Sequence, residues 1–412
     1  MRGKTIIFRI WKFPATSETF VINQILIAKS CGYEVKILVE DLQDIDNSIH
    51  REIIRSNDLE SRIITENYKI PRIKILRILK GSLLLIRNWK NLRFIKKFSA
   101  LQKDKLSALF KFSSLKYLNN YDLIHVQYGT NVKPLDQLKR IGFLKTPLLV
   151  SFHGHDLVFP INGRIPEKGY YDDLFKYGDR LVVNTPYLED ILLKLGASSD
   201  NIEIIPAGID TNFFRPNNSS SKKANQISLI TVGRLEYLKG QHLGIECVKV
   251  LKEKGYEVSY DIIGSGSKFE DLKDLVNIYN LNEYVTFWGN KSADDIKNLL
   301  QKSDIFLMTS ITDPKYGSES QGLVTAEAQA CGLPVVAFDS GGVKYTVDPD
   351  HSGFLIPEGD VQMMVSFLEK LINDESLRLI MGKQARKFVK EKFSNDRLLQ
   401  KWESLYKATL KS

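Results

Sequence analysis

Three stretches of the sequence hold side chains whose types and spacing suit an anionic, hydroxyl-bearing ligand. The first is Thr231-Val232-Gly233-Arg234-Leu235-Glu236-Tyr237-Leu238-Lys239-Gly240. A buried apolar run stops at Gly233 and is followed at once by Arg234 and then by Lys239. In an open parallel sheet, ligands bind beyond the carboxyl ends of the strands. Two cations there can offset a diphosphate and the charge that grows on it as a bond to it breaks. Two solvated surface cations are the plainer alternative, because Gly-Arg turns after strands are common.

The second stretch is Glu319-Ser320-Gln321-Gly322-Leu323-Val324-Thr325-Ala326-Glu327, continued by Ala328-Gln329-Ala330-Cys331-Gly332-Leu333-Pro334. Glu319 falls in a loop after a predicted strand at Ile305–Thr309. Glu327 falls about one turn into a helix that begins near Leu323 and is ended by Gly332-Leu333-Pro334. The main-chain N–H groups of Gln321, Gly322 and Leu323 then sit at the positive end of that helix as free donors. From these places Glu319 can reach a sugar and Glu327 can chelate two ribose hydroxyls. A lone first-turn acid that complements the helix dipole, beside an unrelated loop acid, is the bland alternative. The strand, loop and helix around the pair favour a site.

The third stretch, Ser151-Phe152-His153-Gly154-His155-Asp156, closes an apolar strand in the first half. An imidazole at a strand's carboxyl end beside a glycine can hydrogen-bond a transferred group or its acceptor. A satisfied structural histidine is the other reading, and the placement favours function.

These residues need elements that hold them. Short runs rich in Val and Ile alternate with longer amphipathic stretches along the chain. Ile6–Ile10, Glu34–Val39, Leu123–Val126, Pro147–Phe152 and Arg180–Asn184 read as strands in the first half. Ile227–Val232, Ser259–Ile263, Val285–Trp288, Ile305–Thr309 and Pro334–Phe338 read as strands in the second. Most lack strict alternation, as parallel strands covered on both faces do. Helical patterns lie between them, at Thr19–Cys31, His242–Lys254, Ser267–Tyr279, Asp294–Ser303 and Leu323–Cys331. The class is α/β, a doubly wound sheet built twice.

At 412 residues the chain suits two cores. The apolar share is 43% and the charged share 26%, a globular balance that argues against extended disorder. The three cysteines, Cys31, Cys247 and Cys331, are too widely spaced for a zinc or disulfide framework and suit a reducing compartment. Lys4–Ile10 is too short for a signal sequence, and no apolar run approaches the ~20 residues that span a bilayer. The expectation is a cytoplasmic protein.

Charge is uneven. From Lys69 to Lys116 there are fourteen Lys or Arg against one acid, Asp104, a balance of +13 that exceeds the net +9 of the whole chain. Aliphatic and aromatic residues are interleaved, so the segment reads as a basic element on an anionic membrane surface, peripheral at the inner face of the cell membrane. A helical pair covering the first sheet with its cations solvated is the alternative. No nucleic-acid reader motif accompanies the charge, so nucleic acid is not an expected partner.

At the residues quoted above, the sequence resembles family 4 of the retaining glycosyltransferases, which have the GT-B fold. The resemblance runs through Gly233-Arg234-Leu235, Lys239-Gly240, the Glu319/Glu327 pair, Pro334-Val335-Val336-Ala337 and Ser340-Gly341-Gly342. It extends to Ile205-Pro206-Ala207-Gly208-Ile209-Asp210, Phe214, Ser352-Gly353-Phe354-Leu355 and Gly359-Asp360. Phe13-Pro14-Ala15-Thr16-Ser17-Glu18-Thr19-Phe20 and His153-Gly154-His155-Asp156 resemble the subgroup that builds colanic acid and related exopolysaccharides.

The resemblance implies two Rossmann-like doubly wound parallel-sheet domains facing a central cleft. Residues 1–216 would bind acceptor, 217–225 would link, 226–380 would bind the nucleotide sugar, and a helix in 381–412 would pack back toward the first domain. Gly233, Arg234 and Lys239 would serve the diphosphate of a UDP- or GDP-sugar, and Gln321, Gly322 and Leu323 would offer amides. Glu319 would hold donor-sugar hydroxyls, Glu327 the ribose, and His153 would line the reaction centre. The implied reaction is a same-face displacement in which the leaving phosphate takes the acceptor proton. No enzymic nucleophile, metal or further cofactor is required. The basic segment suits a lipid-linked saccharide acceptor.

The chain departs from the family pattern at Thr16-Ser17-Glu18-Thr19, where many relatives carry paired glycines, and at Val343-Lys344-Tyr345, where a Glu is frequent. Asp44-Ile45-Asp46 and Asp348-Pro349-Asp350 fit a two-aspartate metal pattern by chance, and Gly264-Ser265-Gly266 lacks the third glycine of a dinucleotide fingerprint. Two rival functions remain at this stage: a nucleotide-sugar epimerase of the same fold, and a non-catalytic module that binds polyanions or membranes.

Overall fold

The Val- and Ile-rich runs form parallel strands buried on both faces. The computed structural model describes residues 3–411 apart from 16–18, 67–69, 103, 162, 164, 168 and 218–225. Among the described residues one sheet holds β1 (Thr5–Phe13), β2 (Glu34–Leu42), β3 (Ile63–Thr65), β4 (Leu123–Gln127), β5 (Leu148–Ser151), β6 (Arg180–Val183) and β7 (Ile202–Ile204). The other holds β8 (Ile227–Val232), β9 (Val258–Ile263), β10 (Val285–Gly289), β11 (Ile305–Met308), β12 (Val335–Phe338) and β13 (Gly353–Ile356). Each strand pairing within the sheets is parallel.

Alternate side chains of the second sheet enter two different cores. Leu229, Ile305, Leu307, Val336 and Phe338 pack on one face, and Ile230, Phe306, Met308, Val335 and Ala337 on the other. A strand apolar at every position is what a two-sided burial demands.

The sheets run β3-β2-β1-β4-β5-β6-β7 and β10-β9-β8-β11-β12-β13. Each chain path builds outward from its first strand, then returns and builds the other way. The reversal lies between β1 and β4 in one sheet and between β8 and β11 in the other. Crossover helices leave in opposite directions there, which opens a crevice at the carboxyl ends.

The chain forms two units. One comprises Met1–Val183, Glu189–Ile205 and Leu399–Ser412, and the other Asn184–Leu188 and Pro206–Leu398. The stretch expected as a linker, 217–225, lies outside the described residues except for Asn217. So do Thr16, Ser17 and Glu18 of the entry loop.

The C-terminal helical stretch is two helices, Glu375–Lys392 and Asn395–Thr409. The break has a local cause. Ser394 Oγ donates to Lys390 O at 2.7 Å, closing the first helix, and accepts from Arg397 N at 3.3 Å, opening the next. Phe393 is buried in the second unit, whereas Trp402 and Tyr406 are buried against His125 of the first.

The basic segment also divides, into helices Lys74–Arg87, Leu92–Ala100 and Lys105–Leu115. The last two bury Ile95, Phe98, Leu109, Phe110, Phe112 and Leu115. The first buries only Gly81. Among the described residues no helix is long and apolar enough to cross a membrane.

Candidate active site

In the second unit the crevice is flanked by the ends of β8 and β11. Gly233 and Arg234 follow β8 directly, and the short turn Tyr237–Lys239 leads into helix Gln241–Glu253. Glu319 lies in the loop between β11 and helix Leu323–Ala330. Both helices begin at a left-handed glycine with no capping side chain, Gly240 (φ 62°) and Gly322 (φ 80°). By contrast, Ser292, Asp360 and Asp374 cap their helices with side-chain oxygens. A side-chain cap consumes the first-turn donors, and a glycine leaves them for a ligand.

Lys239 Nζ forms an ion pair with Glu319 Oε2, both side chains largely shielded. Burial pushes the Glu319 carboxyl up, but Lys239 and the N–H groups of Gly322 and Ser320 outweigh it and hold the group below its ordinary range. The Gly322 N–H therefore faces Glu319 before any ligand arrives. Glu327 is the opposite case. Desolvation, with no donor among the described residues to offset it, pushes its carboxyl up to about 7. Arg234 is exposed, and its guanidinium has no ion-pair partner among the described residues. A carboxylate short of donors and a cation short of an anion are groups that a ligand would satisfy.

Backbone packing fixes these positions. A Cβ on Gly240 would collide with Thr309 O, and Thr309 Oγ1 donates to Lys239 O at 2.9 Å. The turn carrying Lys239 thus lies against the end of β11. A Cβ on Gly342 would strike Ser320 O, and one on Gly341 would strike Glu319 O. Ser340-Gly341-Gly342 is the bed on which the Glu319 loop rests. Gln321 also holds the loop through its side chain, which accepts from Ala207 N at 2.8 Å and donates to Ala207 O at 3.0 Å. Gly264 and Gly266 let the turn after β9 lie on the carbonyls of Gly233 and Leu235.

In the first unit the corresponding edge surrounds His153 with neutral, internally bonded side chains. His153 lies in the loop after β5, its ring tilted against Phe20 at 4.6 Å between centroids and edge-to-face with Tyr128 at 4.7 Å. Gln127, the last residue of β4, donates through Nε2 to Gln24 and to His125 Nε2. Its Oε1 must then accept, and it lies 3.0 Å from His153 Nε2. That puts the His153 proton on Nε2 and leaves Nδ1 as a bare acceptor. His153 Nδ1 is buried with no hydrogen-bond partner among the described residues. Desolvation, assisted by His155, pushes this imidazole down to about 3. His125 is also held well below its ordinary value by burial, with a smaller contribution from His153.

Asp156 holds the loop in place. Its carboxylate accepts from the N–H groups of His153 (3.0 Å), Gly154 (2.9 Å) and Gly129 (2.7 Å), stitching the turns after β5 and β4 together. Tyr128 adopts φ 66°, a strained backbone for a bulky residue, where its ring contacts both His153 and His155. Such strain persists only where surrounding bonds enforce it.

A family model described as Glycosyltransferase Family 4 matches residues 61–213, and one described as Glycosyl transferases group 1 matches residues 213–388. The chain belongs to glycosyltransferase family 4.

It is 28% identical to the colanic acid biosynthesis glycosyltransferase WcaL of Escherichia coli, over 97% of this chain and 99% of that protein. It is 28% identical to the amylovoran biosynthesis glycosyltransferase AmsK of Erwinia amylovora, over 90% of this chain and 91% of that one. Anabaena HepE, solved in complex with UDP and glucose, superposes with a TM-score of 0.72 at 18% identity, covering 98% of this chain and all of that one. That structural likeness establishes the GT-B fold.

In this glycosyltransferase, Gly233, Arg234, Lys239, Glu319, Gln321, Gly322, Leu323 and Glu327 all belong to the second unit, at or near the ends of β8 and β11. His153 belongs to the first unit. Sequence reasoning missed Gln24, Gln127, His125 and Tyr406, which orient His153. Tyr406 OH lies 3.1 Å from His125 Nδ1, although the two are far apart in the chain. Only the buried polar types inside an apolar β4 hinted at such a network. Among the described residues, no group of three or more His, Cys, Asp or Glu is arranged to hold a metal ion.

Proposed function

We propose that this glycosyltransferase moves a sugar from a UDP- or GDP-sugar to a saccharide acceptor with retention of the donor's anomeric configuration. The observation that carries the reading is the set of groups at β8 and β11: a Lys239–Glu319 pair, an unpaired Arg234 and a donor-starved Glu327. A nucleoside diphosphate supplies what each lacks. Its phosphates meet Arg234, Lys239 and the amides of Gln321 and Leu323, and its ribose hydroxyls donate to Glu327. The complex of HepE with UDP and glucose supports such a donor.

Chemistry then needs no enzymic nucleophile. The acceptor hydroxyl approaches C1 of the donor sugar on the face from which the phosphate leaves. The bond from C1 to the phosphate oxygen breaks as the new glycosidic bond forms, and the acceptor proton passes to that phosphate oxygen. Arg234 and Lys239 stabilise the departing charge, a role for which no metal is required. Glu319, its oxygens occupied by Lys239 and main-chain N–H groups, orients sugar hydroxyls instead of attacking. His153, neutral at working pH, offers Nδ1 to a hydroxyl hydrogen at the reaction centre.

The names of WcaL and AmsK support an acceptor in bacterial exopolysaccharide assembly, and the basic, apolar segment 69–116 suits one that is a polyprenyl-diphosphate-linked oligosaccharide. The test is incubation of the purified protein with a panel of nucleotide sugars, with and without such an acceptor, reading nucleoside diphosphate release, product mass and anomeric configuration. Acceptor-dependent transfer with retention, unchanged by a chelator, is the expected result. Isomerised donor without transfer would identify an epimerase, and inversion would overturn the mechanism.

A further inference from the structure

Helix Lys74–Arg87 turns its apolar side outward. At 100° per residue, Gly81, Leu84 and Asn88 fall on one side, and Ile75, Leu79, Leu83 and Ile86 fall about 180° away. The inner side is pinned. A Cβ on Gly81 would sit 3.1 Å from Leu106, and Asn88 Nδ2 donates to Ser113 Oγ at 3.0 Å. The outer side is bare: Ile75 is 69% exposed, Leu79 and Leu83 57%, Ile86 69%, and Trp89 just beyond the helix 65%. An ordinary surface helix hides such a stripe against its own core. This one cannot, because its opposite side is already docked.

Cations edge the stripe. Lys80 and Arg87 lie along one of its flanks, and Lys90 and Arg93 follow Trp89. Among the described residues, no ion pair involves a cation of the 72–116 segment. We propose that the outward face of helix Lys74–Arg87, with Trp89, inserts into the interfacial layer of an anionic lipid bilayer. Aliphatic side chains enter the acyl boundary, the indole sits at headgroup level, and the unpaired cations meet lipid phosphates. A second copy of this chain fits poorly, since a symmetric dimer through this face would press the same cations against each other. Nucleic acid would use the cations and leave the aliphatic stripe in water. The inference deepens the proposed function and rests on it for one point: a polyprenyl-linked acceptor would lie in that same bilayer.

The test floats the full chain with vesicles of phosphatidylcholine alone and of phosphatidylcholine mixed with phosphatidylglycerol. Wild-type protein should float with the mixed vesicles, lose most of that binding in high salt, and show a blue-shifted emission that Trp89→Phe removes. Leu79→Glu/Leu83→Glu changes exposed positions only, and should weaken binding by about tenfold or more. Lys80→Glu/Arg87→Glu should erase the preference for anionic vesicles. Donor turnover on a soluble acceptor is measured in the same samples without vesicles and should match wild type in both variants. Loss of that turnover in wild type would strike the glycosyltransferase mechanism, whereas the vesicle results bear on the docking face alone. Absence of flotation, equal flotation of wild type and both variants, or a vesicle-free dimer that Leu79→Glu/Leu83→Glu dissolves would overturn the inference.

Discussion

At the ends of β8 and β11 the functional side chains are charged and in part unpaired, whereas at the ends of β4 and β5 they are neutral and tied to one another. The two sheets share a strand order, so the topology offers each a crevice of the same kind. What differs is the filling. Arg234, Lys239, Glu319 and Glu327 can answer a pyrophosphate and a ribose. His153, Gln127, Gln24 and His125 can orient a hydroxyl but can neutralise nothing. In such folds the topology fixes where a ligand can bind, and on the proposed reading the polarity of a few residues decides which part of the reaction each edge serves.

The comparison is broken most directly at Lys239. Removing its ammonium takes away the charge proposed to stabilise the departing diphosphate, and it also leaves Glu319 shielded and unpaired. Lys239→Ala should lower kcat on the order of 10²-fold or more, with a smaller loss in donor affinity. Arg234→Ala, at an exposed position, should cost less. Wild-type turnover in both variants, read by nucleoside diphosphate release, would mean that the charged edge is not the diphosphate cradle.

The neutral edge predicts a smaller effect of a different kind. His153→Ala should reduce kcat by about 10- to 100-fold while leaving donor affinity nearly unchanged, because it removes an orienting hydrogen bond and no charge. Gln127→Leu should reproduce part of that loss by freeing the imidazole tautomer. With the His153 pKa down at about 3, the kcat profile at saturating donor should show no imidazole inflection between pH 5 and 8. An inflection near pH 6.5 that disappears in His153→Ala would refute the neutral reading.

These two edges were not equally legible in the sequence. The charged one is written in local segments: Gly233 to Gly240 and Glu319 to Pro334 each hold a strand end, a turn and a helix start. The neutral one is assembled from Gln24, His125, Gln127, His153 and Tyr406, which meet only when distant strands and the last helix come together. Polar residues inside an apolar run gave no sign of their partners. The missed strands β3 and β7 have three residues each, and β13 has three apolar residues after Gly353, too few for a periodic signal; each is placed by pairing with its neighbour in the sheet. The single C-terminal helix failed for a similar reason. Ser394 ends one helix and starts the next through its hydroxyl, while apolar residues (Phe388, Phe393, Leu398, Trp402) continue in the sequence across the break.

The finest test of the contrast lies in Glu327, the one acid of the charged edge that burial has raised to about 7. On the proposed reading, ribose hydroxyls donate to this carboxylate, so a donor held there prefers the ionised form and draws this pKa down on binding. The sign follows. Donor affinity should increase as pH rises through about 7, by about tenfold between pH 6 and 8, and level off above. In the free protein the same group acts in the opposite direction. Its folded pKa lies above the ordinary 4.5, so its stabilising contribution is complete below that value and lost as pH rises through about 7. Thermal stability should therefore fall over that window without donor and fall less with it. Calorimetry with whichever of UDP-glucose or GDP-mannose is turned over would read the first effect, and a thermal melt the second. Glu327→Gln should flatten both curves and weaken donor binding at pH 8 more than at pH 6. A wild-type affinity that is flat with pH, or that rises toward acid, would mean that the ribose is held by some other group.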